Sequence, residues 1–426
     1  MTRLALLVVL VGLTALSFAY SAGWPDVSRL GLTQSIALDG SLRIDRYNAQ
    51  TQDKSRYDGH WYSDKAPGIS FLALPTFEVM RLTHLAGTRE YDEGIWHRGR
   101  LLMAARILTG GLGFLICVLL VGTAAEELRA GTGIPVAATF ALGTMALPLA
   151  ATVLGHTAAG AAALAAFLLA RRGRPLTAGA CAGAAVLLEY QAAVAAAAVG
   201  AYLLWRFRSP RVIAVYALGA LPLLAVLGTY DTLAFRSPFH LSYGYVWGVP
   251  EQQQNLFGVG VPTLHGLREV LVGHRGLIVF SPVLILAAAG LVLLWRRGLR
   301  AEAALCGFIA VAFVLLDAGY FDPLGGLSPG PRFVAPALPF LVLGLTESFV
   351  RWPRLTGAVA LASVGAMVYQ AGVWGANYDF STTWWWAGLP RPVGFALVLL
   401  PCCAALALAA QSLRRANAMS VSEPDG

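Results

Sequence analysis

Long apolar runs separated by short polar turns make up most of this chain. Each run is close to the length of about 20 residues that a helix needs to cross the hydrocarbon core of a membrane. The pattern predicts about twelve transmembrane helices, near residues 3–20, 101–121, 134–153, 157–171, 176–189, 191–205, 211–230, 276–295, 301–319, 333–350, 356–374 and 393–411. With 57% hydrophobic and only 13% charged residues, the chain is predicted to be an all-α integral membrane protein. Residues 1–426 then form a single polytopic membrane domain.

Polar residues are concentrated between the apolar runs. The longest polar segment, residues 21–98, follows the first run and is predicted to be a long extracytoplasmic loop. Within it, Pro75 to Leu82 has the composition of a helix lying in the membrane interface. The last residues, 416–426, are predicted to be a disordered cytoplasmic tail.

The net charge of +8 comes from basic residues that cluster at the ends of apolar runs. If the amino terminus is cytoplasmic, nearly every inner turn is basic, as the positive-inside rule requires. This predicts a multi-pass protein of the cytoplasmic membrane with both termini inside and its active face outside. The basic residues form no continuous stripe, so no nucleic-acid partner is expected.

Residues 1–20 have two interpretations. Arg3, the apolar run and the small residues Ser21-Ala22-Gly23 fit a cleaved signal peptide. We prefer a retained helix, because the run is nearly uniformly apolar and long enough to span a membrane.

Asp26 is the candidate catalytic base. Transfer of a sugar from a phosphate requires a base for the acceptor hydroxyl and cations for the departing phosphate. Asp26 lies just after the first apolar run, where a lipid headgroup would arrive. The alternative is an ordinary helix-start aspartate paired with Arg29.

Lys65 is the first candidate for binding the donor phosphate. It precedes an apolar run, which places its ammonium at headgroup depth, and a point charge there suits phosphate. The alternative is an interfacial lysine paired with Asp64. Arg332, after the turn from Gly325 to Pro331, and Arg275 are further phosphate candidates, since each begins an apolar run at a predicted outer end. For Arg332, a capped helix end is the alternative.

Five more residues are candidates for lining a substrate cavity: Arg29, His60, Asp64, His156 and Glu189. Lone histidines in outer loops are more often solvated than catalytic. Glu189 interrupts an apolar run, and it either faces a cavity or marks a hairpin turn.

Three motifs occur in order in about the first 125 residues: Asp26-Val27-Ser28-Arg29-Leu30, then Tyr62 to Gly68 around Lys65, then Arg100-Leu101 to Arg106-Ile107. Together they resemble the first outer loop and second span of GT-C-fold membrane glycosyltransferases. The group they resemble most is that of the aminoarabinose transferases and protein O-mannosyltransferases.

The resemblance implies a GT-C fold and transfer of a sugar at the outer face of the membrane. The implied donor is a polyprenyl-phosphate-linked sugar, and the acceptor is a lipid, a glycan or a protein. Asp26 would then act on the acceptor and Lys65 would meet the lipid phosphate. Val27 and Leu30 replace an acidic and an aromatic residue of the family, so the sequence does not support a metal site or any other cofactor.

Other chemistry is not indicated by the sequence. The chain has no Gly-x-x-x-x-Gly-Lys-Ser/Thr phosphate loop, no Cys-x-x-Cys pair and no His-Glu-x-x-His. A non-enzymatic flippase for lipid-linked sugars, or a secondary transporter, is the competing class. Against it, we find no repeat between the two halves and no convincing charge pair within a predicted span.

Overall fold

The structure of the protein is a computed structural model, described here for residues 2–18, 23–84, 100–326, 328–377 and 391–422. This part is a bundle of helices with one small two-stranded antiparallel sheet. The bundle packs around an extended apolar core to which nearly all of the helices contribute.

Residues 23–84, the described part of the first predicted loop, form regular elements that follow the first helix. In chain order the elements are α1 (Thr2–Ala15), α2 (Trp24–Asp39), a 3-10 helix (Asp45–Gln50), β1 (Lys54–Tyr57), β2 (His60–Ser63) and α3 (Gly68–Leu82). The helix predicted from Pro75 to Leu82 is therefore the second half of α3. Residues 85–98 of this loop lie outside the described residues.

The remaining helices follow the predicted apolar runs. They are α4 (Arg100–Arg106), a π-helical turn (Ile107–Gly111), α5 (Leu112–Leu128), α6 (Gly133–Gly143), α7 (Ala146–Leu149), α8 (His156–Arg171), α9 (Pro175–Leu188), α10 (Ala193–Phe207), α11 (Pro210–Phe235), α12 (Leu264–Val272), α13 (Leu277–Phe280), α14 (Val283–Arg296), α15 (Arg300–Gly319), α16 (Leu338–Leu341), α17 (Leu345–Arg351), α18 (Pro353–Asn377) and α19 (Arg391–Ser422). Further 3-10 turns lie at Tyr190–Ala192, Ser242–Tyr245, Pro250–Gln253, Arg332–Ala337 and Val342–Gly344.

The chain is a multi-pass membrane protein. Among the described residues, six helices are long and apolar enough to cross a membrane, or seven if one sharply bent pair counts as a span. Four shorter apolar helices accompany them. The sequence predicted about twelve crossings, whereas six or seven of the described helices are long enough to span a membrane.

Two predicted spans are interrupted. The run 134–153 breaks after α6, where the Thr144 hydroxyl donates to Phe140 O and accepts the N–H of Ala146, a local bond that competes with the helix. The run 276–295 bends by 92° between residues 264–280 and α14. The bend falls at Ser281-Pro282, because proline has no N–H to continue a helical ladder.

The carboxyl-terminal helix is longer than the sequence pattern suggests. It continues to Ser422, which differs from the disordered tail predicted from residue 416. A helix that is already formed adds residues easily, and the alanines and methionine at 416–419 favour this extension. Residues 423–426 lie outside the described residues.

Close backbone approach holds α9 against α11. A Cβ placed on Gly179 would lie 1.9 Å from Tyr216 O, and one placed on Gly219 would lie 1.9 Å from Leu176 O. Only glycine permits this distance at both positions. Small residues at such crossings let the helices pack closely, and this packing holds them together. The hydrophobic effect cannot drive association between helices that are already in lipid.

Ion pairs join the predicted inner ends of the helices. Glu347 lies 2.6 Å from Arg297 and 3.7 Å from Arg129, and Glu302 lies 3.6 Å from Arg171. These arginines come from separate turns that the charge pattern places on the same side of the membrane. The ion pairs agree with the prediction that these arginines lie on the same side of the membrane.

We expect Gly179→Val to separate α9 from α11, because two added methyl groups and a Cβ would overlap the Tyr216 carbonyl. Overpacking of this kind costs about 1–3 kcal/mol or more, so thermal denaturation of the purified protein in detergent should begin at a lower temperature. Gly307→Val is the matched control, since no atom lies within 4 Å of a Cβ built there. Equal melting temperatures for the two variants would contradict this packing.

Candidate active site

Asp26 is buried at the amino end of α2. It is the third residue of the helix, and its Oδ2 accepts the N–H of Gly23, which caps the helix, at 3.3 Å. Its Oδ1 accepts the N–H of Val153 at 3.3 Å, and Arg106 lies 3.5 Å away. The alternative predicted from the sequence is a pair with Arg29; in the structure the basic partner of Asp26 is Arg106.

Arg106 was not predicted as a site residue. It ends α4 and precedes the π-helical turn from Ile107 to Gly111, and its side chain is almost fully buried. Such turns occur frequently at functional sites. The available signal was an arginine inside an apolar run, which by itself marks a functional or paired residue.

Arg29 and Glu189 form a buried ion pair. The Arg29 guanidinium donates to Glu189 Oε1 at 2.8 Å, and both side chains are almost fully buried. The same carboxylate oxygen lies 3.6 Å from His156 Nδ1. Glu189 is therefore buried and paired, and it also lies in the turn at which α9 ends, so the structure contains a feature of each predicted interpretation.

Lys65 is held between two carboxylates. Its ammonium lies 2.7 Å from Asp64 and 2.9 Å from Asp53. Ser28 donates to Asp64 at 3.3 Å, and this bond links the lysine loop to α2. The predicted alternative, a pair with Asp64, is thus present, and Asp53 joins it.

Asp53 reaches Lys65 through a hairpin that sequence reasoning missed. It precedes β1, and β1 pairs with β2 in the register Lys54↔Ser63, so residues 53 and 64–65 lie at the same end of the ladder. The signal was Asp58-Gly59, a dipeptide typical of two-residue hairpin turns. Both turn residues have positive φ, 50° and 80°.

The charges of this triad influence one another. Burial raises the pKa of Asp53, but attraction by Lys65 and then by Arg332 outweighs it and lowers the pKa overall. For Asp64, burial is the largest influence and raises the pKa, even though Lys65 acts against it. Burial alone would lower the pKa of Lys65, yet the two carboxylates raise it. Lys65 therefore remains a cation, with Asp53 as its ionised partner.

Arg332 completes the positive side of the site. Its charge acts on Asp53, Lys65, His156 and Glu189, so it lies within electrostatic range of both groups described above. Among the described residues it forms no ion pair, and its Nε has no hydrogen-bond partner. Its guanidinium carbon lies 5.2 Å from the centre of the Phe333 ring.

Arg275 has a different environment. Its guanidinium donates to Gly326 O at 3.2 Å and to Ser328 O at 2.8 Å. These bonds hold the glycine-rich turn that precedes Arg332. A Cβ on Gly325 would lie 2.9 Å from Arg332 Nε, so Arg275 fixes the backbone against which Arg332 packs.

The same turn contains a Gly-x-Ser-x-Gly sequence, Gly326 to Gly330, with the spacing of a hydrolase nucleophile elbow. The structure does not support that chemistry. Ser328 is buried and its hydroxyl bonds to Leu324 O at 2.6 Å and to Gly330 O. The turn follows an irregular segment, whereas a nucleophile elbow joins a strand to a helix.

His60 is not part of this arrangement. Its Nδ1 lies 2.8 Å from Asp45, and both side chains are more than a third exposed. In the described part of the chain, no group of three histidine, cysteine or acidic side chains is placed to hold a metal ion.

Eight residues thus form what we call the charged cluster: Asp26, Arg29, Asp53, Asp64, Lys65, His156, Glu189 and Arg332. They come from four regions that the charge pattern assigns to one side of the membrane. Arg106 supports the cluster beside Asp26, and Arg275 supports it behind Arg332. Cations and carboxylates that are held together at the end of an apolar bundle can bind a phosphorylated lipid headgroup and move a proton.

The fold that carries this arrangement has a counterpart among solved structures. The structure is similar to the crystal structure of ArnT from Cupriavidus metallidurans bound to undecaprenyl phosphate, with a TM-score of 0.55 and 16% sequence identity. The match covers 97% of this chain and 72% of that chain. At this identity the likeness concerns the fold. No family model matches the sequence, and no curated protein matches it.

We expect Arg29→Met and Glu189→Gln each to destabilise the protein by about 3–5 kcal/mol, because each leaves a buried group without its charged partner. The double variant should lose less than the sum of the two, as measured by thermal denaturation in detergent. Arg236→Met, which breaks an exposed pair with Asp58, should change stability by about 1 kcal/mol or less. Additive losses in the double variant would show that the pair is not coupled.

Proposed function

We propose that this protein is a membrane glycosyltransferase. It moves a sugar from a polyprenyl-phosphate-linked donor to a hydroxyl of a lipid, glycan or protein acceptor at the outer face of the cytoplasmic membrane. The observation that carries the proposal is that Arg332 and Lys65 belong to one charged cluster, in which the charge of Arg332 acts on Lys65, within a fold similar to that of ArnT. The structural neighbour, ArnT, was crystallised with undecaprenyl phosphate, which is the lipid product that such a donor leaves behind.

Phosphate chemistry fits the two cations in different ways. Arg332 has a guanidinium without a described ionic partner, and a planar fork of donors suits two phosphate oxygens. Lys65 already has two carboxylate partners, so its charge is partly balanced before a ligand arrives. We therefore assign the main phosphate contact to Arg332, with Lys65 beside it and Arg275 as the residue that positions the Arg332 turn.

The acceptor side needs a base. Asp26, the sequence-based candidate, uses both of its oxygens for backbone N–H groups and lies beside Arg106. A carboxylate with these contacts is well placed to hold α2 against the turn around Val153. Its role in proton transfer is tested together with that of His156 below.

The competing function is a carrier of lipid-linked sugars. A carrier would place its essential ionisable groups near the middle of the membrane, whereas the charged cluster lies at the ends of helices α2 and α8 and in the turns beside them. This placement favours the enzyme.

We expect cells that lack this gene to lose one sugar from their envelope lipids or glycans, detected by mass spectrometry. The native chain should restore that sugar. Arg332→Gln should restore little, because the leaving phosphate loses its strongest contact. Arg236→Gln, a change at an exposed arginine of the same face, should restore it fully. An unchanged glycan profile in the deletion strain would reject the proposed function.

The phosphate contact has its own test. Undecaprenyl phosphate should bind the purified native protein, and Arg332→Gln should weaken binding by about tenfold or more, the equivalent of one charge-assisted hydrogen bond. Binding can be measured by native mass spectrometry in detergent. Equal affinities for the native protein and Arg332→Gln would remove Arg332 from the site, and a larger loss in Lys65→Met would transfer its role to the lysine.

A further inference from the structure

Three side chains form a relay that ends at an imidazole. Arg29 donates to Glu189 Oε1 at 2.8 Å, and that oxygen lies 3.6 Å from His156 Nδ1. Gln191 Nε2 approaches the same imidazole nitrogen at 3.5 Å. A base whose second nitrogen is oriented by a carboxylate, itself fixed by a third group, is the arrangement by which enzymes present a histidine to a substrate.

The second imidazole nitrogen of His156, Nε2, differs from Nδ1 in its surroundings. His156 Nε2 is buried and has no hydrogen-bond partner among the described residues, and the same holds for the neighbouring Thr157 hydroxyl. An unpaired buried polar group costs about 1–3 kcal/mol, so two at adjacent positions need a polar partner, either a water molecule or a ligand. The Glu189 carboxylate and the Gln191 amide N–H compete for Nδ1. With Glu189 as its partner, Nδ1 carries the proton and the Nε2 lone pair is left free.

The imidazole lies beside the phosphate candidates. Its ring meets that of Phe333 edge to face, with 5.6 Å between the ring centres. Burial, more than any neighbouring charge, lowers the pKa of His156 to about 3; Glu189 acts against this, and Arg332, Arg29 and Lys65 add to it, so the imidazole is neutral before an acceptor binds. Phe333 follows Arg332 directly in the chain. A phosphate held by Arg332 would therefore bring its attached sugar to the neighbourhood of Nε2.

Asp26 supports the position of His156 through a backbone contact. It accepts the N–H of Val153, three residues before His156, and so fixes the turn that leads into α8. Gly155, which directly precedes His156, packs on the relay, since a Cβ there would lie 2.6 Å from Glu189 Oε1. The two candidates predicted from the sequence therefore differ in their contacts. Both carboxylate oxygens of Asp26 accept backbone N–H groups, whereas Nε2 of His156 has no hydrogen-bond partner in the described part of the chain.

We propose that His156 is the catalytic base, with Glu189 and Arg29 as its positioning residues and Asp26 as the residue that holds its turn. This rests on the proposed function. His156 Nε2 takes the proton of the acceptor hydroxyl as the acceptor oxygen bonds to the sugar carbon that carries the phosphate. The bond from that carbon to the phosphate oxygen breaks, and its electron pair leaves with the polyprenyl phosphate. The proton then passes from His156 to the departing phosphate or to water.

The test compares His156→Gln with Asp26→Asn in membranes from the complemented deletion strain. The readout is the rate at which the product missing from that strain is formed from the donor lipids in those membranes. His156→Gln should lower the rate by about 10²–10⁴-fold, the usual contribution of general base catalysis, while purified protein still binds undecaprenyl phosphate. Asp26→Asn should keep more than about a tenth of the rate, since an amide oxygen can still accept the Val153 N–H.

Glu189→Gln tests the orientation of the imidazole. Because we expect this variant to be less stable, its rate is measured well below its own melting temperature and per amount of folded protein. The substitution should lower the rate by about 10–100-fold, the range for loss of a group that orients a functional imidazole, and leave undecaprenyl phosphate binding in place.

Three outcomes would overturn the proposal. The first is a His156→Gln rate within about threefold of native. The second is a rate abolished by Asp26→Asn and retained by His156→Gln, which returns the base to Asp26. The third is loss of undecaprenyl phosphate binding along with the rate in both His156→Gln and His156→Asn, which would make the histidine a structural or binding residue. If the deletion strain loses no sugar, the proposed function itself fails, and this inference fails with it.

Discussion

Arg29 and Glu189 are joined across 160 residues of chain by a hydrogen bond between two almost fully buried side chains. Each is buried in an environment that cannot solvate a charge, so neither can stay ionised in place without the other. The pair fixes α2 against the turn between α9 and α10. The charges of this pair interact electrostatically with His156, with the triad of Lys65, Asp53 and Asp64, and with Arg332. The geometry of the charged cluster therefore depends on the pair.

The second constraint is the scarcity of polar atoms elsewhere in the bundle. Helices that meet in lipid gain little from excluding water, and α9 and α11 are held by glycine-to-carbonyl contacts instead. Polar atoms are concentrated at the two ends, as ion pairs between Glu347, Glu302 and arginines at one end and as the charged cluster at the other. The charged cluster and the other ion pairs therefore lie at opposite ends of the bundle.

Much of this could be predicted from the sequence, because apolar length and the placement of arginines report directly on helices and their ends. The helical regions, the ordered first loop and the positions of Asp26, Lys65, Glu189 and Arg332 near predicted turns all follow from such patterns. The breaks at Thr144 and Pro282 did not, because hydropathy averages over residues whose effect is local. Partners also escaped prediction: Asp53 meets Lys65 through a hairpin, and Arg106 meets Asp26 across two helices. One sequence records which groups are charged, whereas their pairing depends on tertiary contacts. The resemblance to GT-C-fold enzymes predicted a fold, and the structural similarity to ArnT agrees with that prediction.

The bend at Ser281-Pro282 has a consequence for how this chain can change over time. Helices α12 and α13 run at 92° to α14, so if α14 crosses the membrane they extend along its plane. Residues added to or removed from α12 would displace atoms sideways, by about 1.5 Å each, without changing the depth of any crossing helix. Arg275 lies between α12 and α13 and holds the Arg332 turn. A change in the length of α12 would therefore move the proposed phosphate-binding residue Arg332 laterally relative to His156. The site would then fit a different sugar, while the membrane-spanning helices keep their positions.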